Sequence, residues 1–77
     1  MDNMQQIKDT IVNLLRIKAT ELKPSASLEN SIGVDSTEMV EIAIALGKAF
    51  NVQVGNKDIS KNSTLEDIER VIKTKLG

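Results

Sequence analysis

A chain of 77 residues with neither cysteine nor histidine has to hold itself together by burying apolar side chains. Disulfides and thiolate metal sites are closed to it, and the usual near-neutral general base, which is also the commonest metal ligand, is missing. The size is near the lower limit for a core without staples, so a single domain over residues 1–77 is expected. Phe50 is the one aromatic residue, which leaves little on which a nucleic-acid base could stack. Asp, Glu, Lys and Ser remain, but no spacing among them forms a recognisable catalytic group. A non-enzyme without a metal site is the expectation.

Hydrophobic periodicity is helical throughout, with no sustained strand pattern. Met4, Ile7, Ile11, Leu14 and Leu15 predict a first helix from about Asn3 to Lys18. Leu22 to Val34 reads as a long connection, because Pro24, Ser25, Ser27, Asn30, Ser31 and Gly33 all disfavour a continuous helix. A second helix is predicted from Ser36 to Phe50, with Val40, Ala43, Leu46 and Phe50 on its buried face. Thr37, Glu41, Ile44 and Lys48 form a separate stripe on which Ile44 is the one apolar residue. Gly47 within this helix costs roughly 1 kcal/mol against alanine and reads more as a tolerated weak spot than as a place of close approach. A short third helix is predicted over Lys57–Lys61. Ser63-Thr64-Leu65-Glu66 reads as a capping box with Ser63 as N-cap and Glu66 reaching back. It opens a last helix to about Lys75 whose apolar face is Leu65, Ile68, Val71, Ile72 and Leu76. The fold class is therefore all-α, a small four-helix bundle of three main helices and one short one.

Net charge is −1, but residues 26–47 carry Glu29, Asp35, Glu38 and Glu41 with no base. Such a local patch attracts basic partners and repels nucleic acid. At its centre lies Gly33-Val34-Asp35-Ser36-Thr37-Glu38, a serine where a loop gives way to an amphipathic helix. A helix N-terminus offers unpaired N–H groups and partial positive charge, so a hydroxyl there can carry a phosphate-linked group. On these residues alone, an N-cap role for Ser36 is the plainer reading. The terminus Met1-Asp2-Asn3-Met4-Gln5-Gln6 shows no secretory pattern, and no stretch has the apolar length to span a bilayer. A cytoplasmic domain without membrane insertion is expected, and a monomer, since no large apolar surface stripe is evident.

Ser27-Leu28-Glu29-Asn30-Ser31-Ile32-Gly33-Val34-Asp35-Ser36 resembles the acyl carrier protein family, in which a hydrophobic–Gly–x–Asp–Ser–hydrophobic pattern stands at this place. Val40-Glu41-Ile42, Ala45-Leu46, Ala49-Phe50-Asn51-Val52 and Ser63-Thr64-Leu65 extend the resemblance over nearly the full length. It implies that Ser36 is esterified by 4′-phosphopantetheine, donated from coenzyme A by a phosphopantetheinyl transferase, with Asp35 helping that enzyme organise its magnesium ion. It further implies acyl thioesters presented to acyl-loading and acyl-processing enzymes of fatty-acid, lipid or related biosynthesis. Recognition would involve Asp35, Thr37, Glu38, Glu41, Ile44 and Lys48. The acyl chain would shelter among Leu28, Val40, Leu46, Phe50, Val54, Ile59, Ile68 and Ile72, a set that ordinary core packing explains equally.

Several positions depart from the family pattern. Thr37 stands where leucine is usual, Gly47-Lys48-Ala49 where acids are usual, Asn30 for a frequent aspartate, Gly55 for a frequent proline, and Asn62 at an often apolar position. These departures point to a specialised carrier rather than the housekeeping one. Two alternatives stand beside it: an aminoacyl or peptidyl carrier for a secondary-metabolite pathway, and an unmodified helical interaction domain in which Ser36 only caps.

Overall fold

The computed structural model describes residues 3–77; Met1 and Asp2, part of the terminus read as lacking a secretory signal, lie outside them. Helix α1 spans Asn3–Leu15, and Ile7 and Ile11, one turn apart, are fully buried on it. It ends three residues before the expected Lys18. Arg16 turns left-handed at φ 56°, and the Ile17 N–H reaches back to the Val12 carbonyl at 3.3 Å, a Schellman-type stop. The reversal sets Ile17 against the edge of the core.

The connection to the next long helix is less irregular than its composition suggests. A 3-10 turn, Ala19–Glu21, leads to buried Leu22, and a five-residue helix α2, Leu28–Ile32, follows. Ser27 caps α2 by accepting the Asn30 N–H at 3.1 Å. Its first amides then find partners far along the chain: Leu28 N–H donates to the Ser63 carbonyl at 3.0 Å and Glu29 N–H to the Lys61 carbonyl at 2.9 Å. A Lys61–Glu29 ion pair at 3.1 Å lies over this clamp; half-exposed, it adds little energy. Gly33 closes α2 at φ 69°, a conformation glycine adopts without a Cβ penalty.

Helix α3 spans Ser36–Phe50. Its buried residues are Met39, Ile42, Ala43 and Leu46, spaced i, i+3, i+4, i+7. Val40, expected on this face, is 42% exposed, because it stands about 100° round the helix from Met39. Phe50 is half-buried against the core. Asn51, left-handed at φ 57°, ends the helix.

The expected helix over Lys57–Lys61 is not formed. Turns take its place, with Asp58 N–H bonded to the Gly55 carbonyl and Ser63 N–H to the Ser60 carbonyl, while the carbonyls of Lys61 and Ser63 serve α2. The short helix of the bundle is thus α2. The last helix, α4, spans Leu65–Leu76 and is capped by Thr64, with Asp67 as its reciprocal partner, in place of Ser63 and Glu66. Two capping boxes overlap in the sequence, and the Ser63 hydroxyl is already accepting the Ser60 N–H at 3.0 Å. The Asp67 carboxyl is held below its usual pKa, chiefly by the Thr64 backbone N–H it accepts. Leu65, Ile68 and Ile72 are fully buried, Val71 is half-buried, and Leu76 is 49% exposed at the chain end.

The long helices meet through α1, which packs against both α3 and α4. The core they share is aliphatic apart from the Met39 thioether, and the Ser31 hydroxyl on α2 is a buried side-chain oxygen that finds no partner. Gly47 is required by close approach, contrary to its reading as a weak spot: a Cβ there would stand 2.8 Å from the Val52 carbonyl oxygen. The Gly47 carbonyl also accepts the Val52 N–H at 3.0 Å. Gly47→Ala should therefore destabilise the fold by about 1 kcal/mol, the backbone clash outweighing the gain in helix propensity. Urea unfolding followed by circular dichroism measures this; a more stable variant would contradict it.

Candidate functional site

Ser36 is positioned by a short rigid lead. After Gly33, Val34 is buried at 4% exposure and pins the loop to the core. Asp35 is extended at φ −103°, ψ 179° and serves as N-cap of α3. Its Oδ1 accepts the Glu38 N–H at 2.8 Å, and the Glu38 Oε1 accepts the Asp35 N–H at 3.1 Å. This closes a capping box around Ser36, which is the first helical residue.

The capping alternative for Ser36 is thereby removed, since Asp35 fills that role. The Ser36 side chain is exposed, and no hydrogen bond of its hydroxyl occurs among the described residues. The amides of Ser36 and Thr37 precede the first N–H that finds an i−4 carbonyl, that of Met39 to Asp35 at 3.0 Å. They belong to the orphan donors of a helix start, where a phosphate is electrostatically favoured. An ester at Ser36 fits here on the evidence of the free hydroxyl.

A cleft of about 360 Å³ opens beside Ser36. One wall is Ser36, Met39 and Val40; the other is Asn56 with Ile59, Ser60, Lys61 and Asn62. Val40 faces this cleft, which accounts for its exposure. Of the residues expected to shelter an acyl chain, only Val40 and Ile59 line it. Leu28, Leu46, Ile68 and Ile72 are fully buried, and Phe50 and Val54 are packed half-buried against them. Met39, Asn56, Ser60, Lys61 and Asn62 escaped the sequence reading. Met39 was detectable at i+3 from Ser36; the others reach the site through a fold-back with no local signature.

Among the residues expected to meet partners, Asp35, Thr37, Glu41, Ile44 and Lys48 are exposed, and Ile44 keeps 55% of its surface open. Glu38 is half-buried and held in the capping box. The acidic patch is also weaker in space than in sequence, because Lys61 from the distant turn pairs with Glu29.

The family described as phosphopantetheine attachment site matches residues 5–72. Acyl carrier proteins are among the relatives: that of Clostridium acetobutylicum is 33% identical over 69 residues, 90% of each chain. That of Wolinella succinogenes is 31% identical over 68 residues, 88% of this chain and 90% of its own. That of Helicobacter hepaticus is 28% identical over the same shares. This chain belongs to the acyl carrier protein family. It carries acyl groups as thioesters on a covalently attached 4′-phosphopantetheine. The carrier has the all-helical fold expected of it, and no helix among the described residues is long and apolar enough to cross a membrane.

The division of labour between Asp35 and Ser36 is directly measurable. Asp35→Ala should lower stability by about 1 kcal/mol through loss of the cap. Ser36→Ala should change it by less than about 0.5 kcal/mol, as for a surface position without partners. Equal losses in urea unfolding would return the capping role to Ser36.

Proposed function

We propose that Ser36 is the residue that carries 4′-phosphopantetheine, and that the chain presents its cargo to other enzymes while catalysing no step itself. The observation that carries this reading is an exposed serine hydroxyl at the first position of a helix whose cap is supplied by its neighbour. When bound, the group supplies the thiol that this cysteine-free chain lacks. Ser36 provides the ester oxygen, and the first-turn amides of α3 face the resulting negative charge. Asp35, solvent-exposed beside it, is placed to help a transferase hold magnesium.

The exposed stripe of Thr37, Glu41, Ile44 and Lys48, flanked by Asp35 and Glu38, is the surface on which transferase and acyl-processing enzymes meet the carrier. The cleft between Val40 and Ile59 is the entrance for an acyl chain. Leu28, Leu46, Phe50, Val54, Ile68 and Ile72 surround it only if the core opens. We place the carrier in the cytoplasm as a monomer: the exposed large apolar side chains among the described residues are Val40 and Ile44, one turn apart on α3, and Leu76 at the end of α4, too few for a large apolar stripe.

Intact mass after incubation with a phosphopantetheinyl transferase, coenzyme A and magnesium should rise by one arm, and Ser36→Ala should gain none. A folded sample left unchanged by more than one transferase would defeat the assignment of Ser36.

The broken acidity of α3 at Gly47-Lys48 and the pairing of Glu29 with Lys61 support a carrier dedicated to one pathway. In competition, general fatty-acid synthase enzymes should turn it over more slowly than a housekeeping carrier, and equal turnover would refute the dedicated role.

A further inference from the structure

A second concavity, larger than the cleft, lies away from Ser36, between the C-terminal half of α3 and the segment 51–58. It is wide open to solvent, spans about 900 Å³ and reaches the end of α4. Gly47 lets Val52 draw in close to the helix, and Ile44, the most exposed of the large apolar side chains, lies along its border.

Its charge is opposite to that around Ser36. Lys48, Lys57 and Lys75 line it, with Asp58 as its one carboxylate. Asp58 is committed: Lys75 pairs with it at 3.3 Å, and its Oδ2 accepts the Gly55 N–H at 2.8 Å. These contacts, the backbone bond foremost, hold its carboxyl below the usual pKa. Lys48 and Lys57 are exposed and have no ion pair among the described residues. Seven residues separate Glu41 from Lys48, about 10 Å along a helix and close to the screening length at about 0.1 M salt. The two ends of α3 therefore act on a partner as separate fields of opposite sign.

We infer that this groove docks an acidic, amphipathic helical segment of a protein partner, an apolar side chain of that segment resting on Ile44 and its carboxylates meeting Lys48 and Lys57. A uniformly basic partner surface gains at Glu38 and Glu41 but is repelled at the groove, so the pair of patches selects partners with the complementary split. A flat anionic membrane suits the site less well. The groove is concave, Glu41 shares the exposed stripe, and three lysines, one already paired, fall short of the roughly 4–8 bases of a lipid-binding cluster.

The docking goes beyond the carrier reading, since it needs no attached arm, and it is tested on the full chain carrying Ser36→Ala. The probe is a synthetic amphipathic helix with a leucine face and a glutamate face, titrated at low salt into the 15N-labelled protein. Its lysine counterpart and phosphatidylcholine–phosphatidylglycerol vesicles are run in parallel. The glutamate peptide should shift the amides of Ile44, Gly47, Lys48 and residues 52–57. Lys48→Glu with Lys57→Glu should weaken its binding about tenfold, and Ile44→Ser should weaken it without any change of charge. The lysine peptide should move the Glu38–Glu41 region instead. Unmoved groove amides, undiminished binding to the folded variants, or displacement of the peptide by the vesicles would overturn the inference.

Discussion

Two isoleucines one helical turn apart hold this fold together. Ile7 and Ile11 are completely buried on α1, the element that packs against both α3 and α4. Each contributes roughly 1.5–3 kcal/mol by leaving water, a large share of the margin open to so small a domain. The rest of the core repeats the theme with aliphatic side chains and a single methionine. Among the described residues no ring stacks and no buried polar network fixes a unique geometry, so direction comes from the helix ends, of which the stop of α1 and both ends of α2, α3 and α4 have an identifiable device.

Those devices explain how much of the fold was legible. The bounds of α3 were readable because Asp35 and Glu38 frame its start and the apolar spacing runs unbroken behind them. The last helix was readable for the same reason, although Ser63-Thr64-Leu65-Glu66-Asp67 contains two overlapping boxes. The choice between them turns on the Ser63 hydroxyl, which accepts the Ser60 N–H and so leaves the cap to Thr64. Helix α2 was hidden for a deeper reason. Its composition is that of a loop, and two of its amides bond to carbonyls more than thirty residues away. The segment expected to be helical, 57–61, supplies one of those carbonyls and lies in turns. One long-range exchange accounts for both discrepancies.

The site divides in the same way. Ser36 and its helix start were visible in six consecutive residues, and the exposed stripe of Thr37, Glu41, Ile44 and Lys48 followed from helical spacing. The far wall of the cleft was not visible, since Ser60, Lys61 and Asn62 arrive by tertiary folding. Val40 was misplaced because a helix face is a matter of degrees, and a residue at the margin of the apolar arc turns outward when a neighbouring cavity receives it. Gly47 shows the limit most plainly. Propensity marks it as a defect, whereas the carbonyl of Val52 makes it a necessity.

The clamp at α2 has a mechanical consequence. One five-residue helix grips the far wall of the cleft through Ser63 and Lys61, and through Gly33-Val34-Asp35 it runs directly into the wall that bears Ser36. The two walls are therefore tied to one another through α2, by backbone hydrogen bonds on one side and by chain continuity on the other. A displacement of one wall is felt by the other through only five residues, a far shorter route than the one through α1 and the buried Ile7 and Ile11.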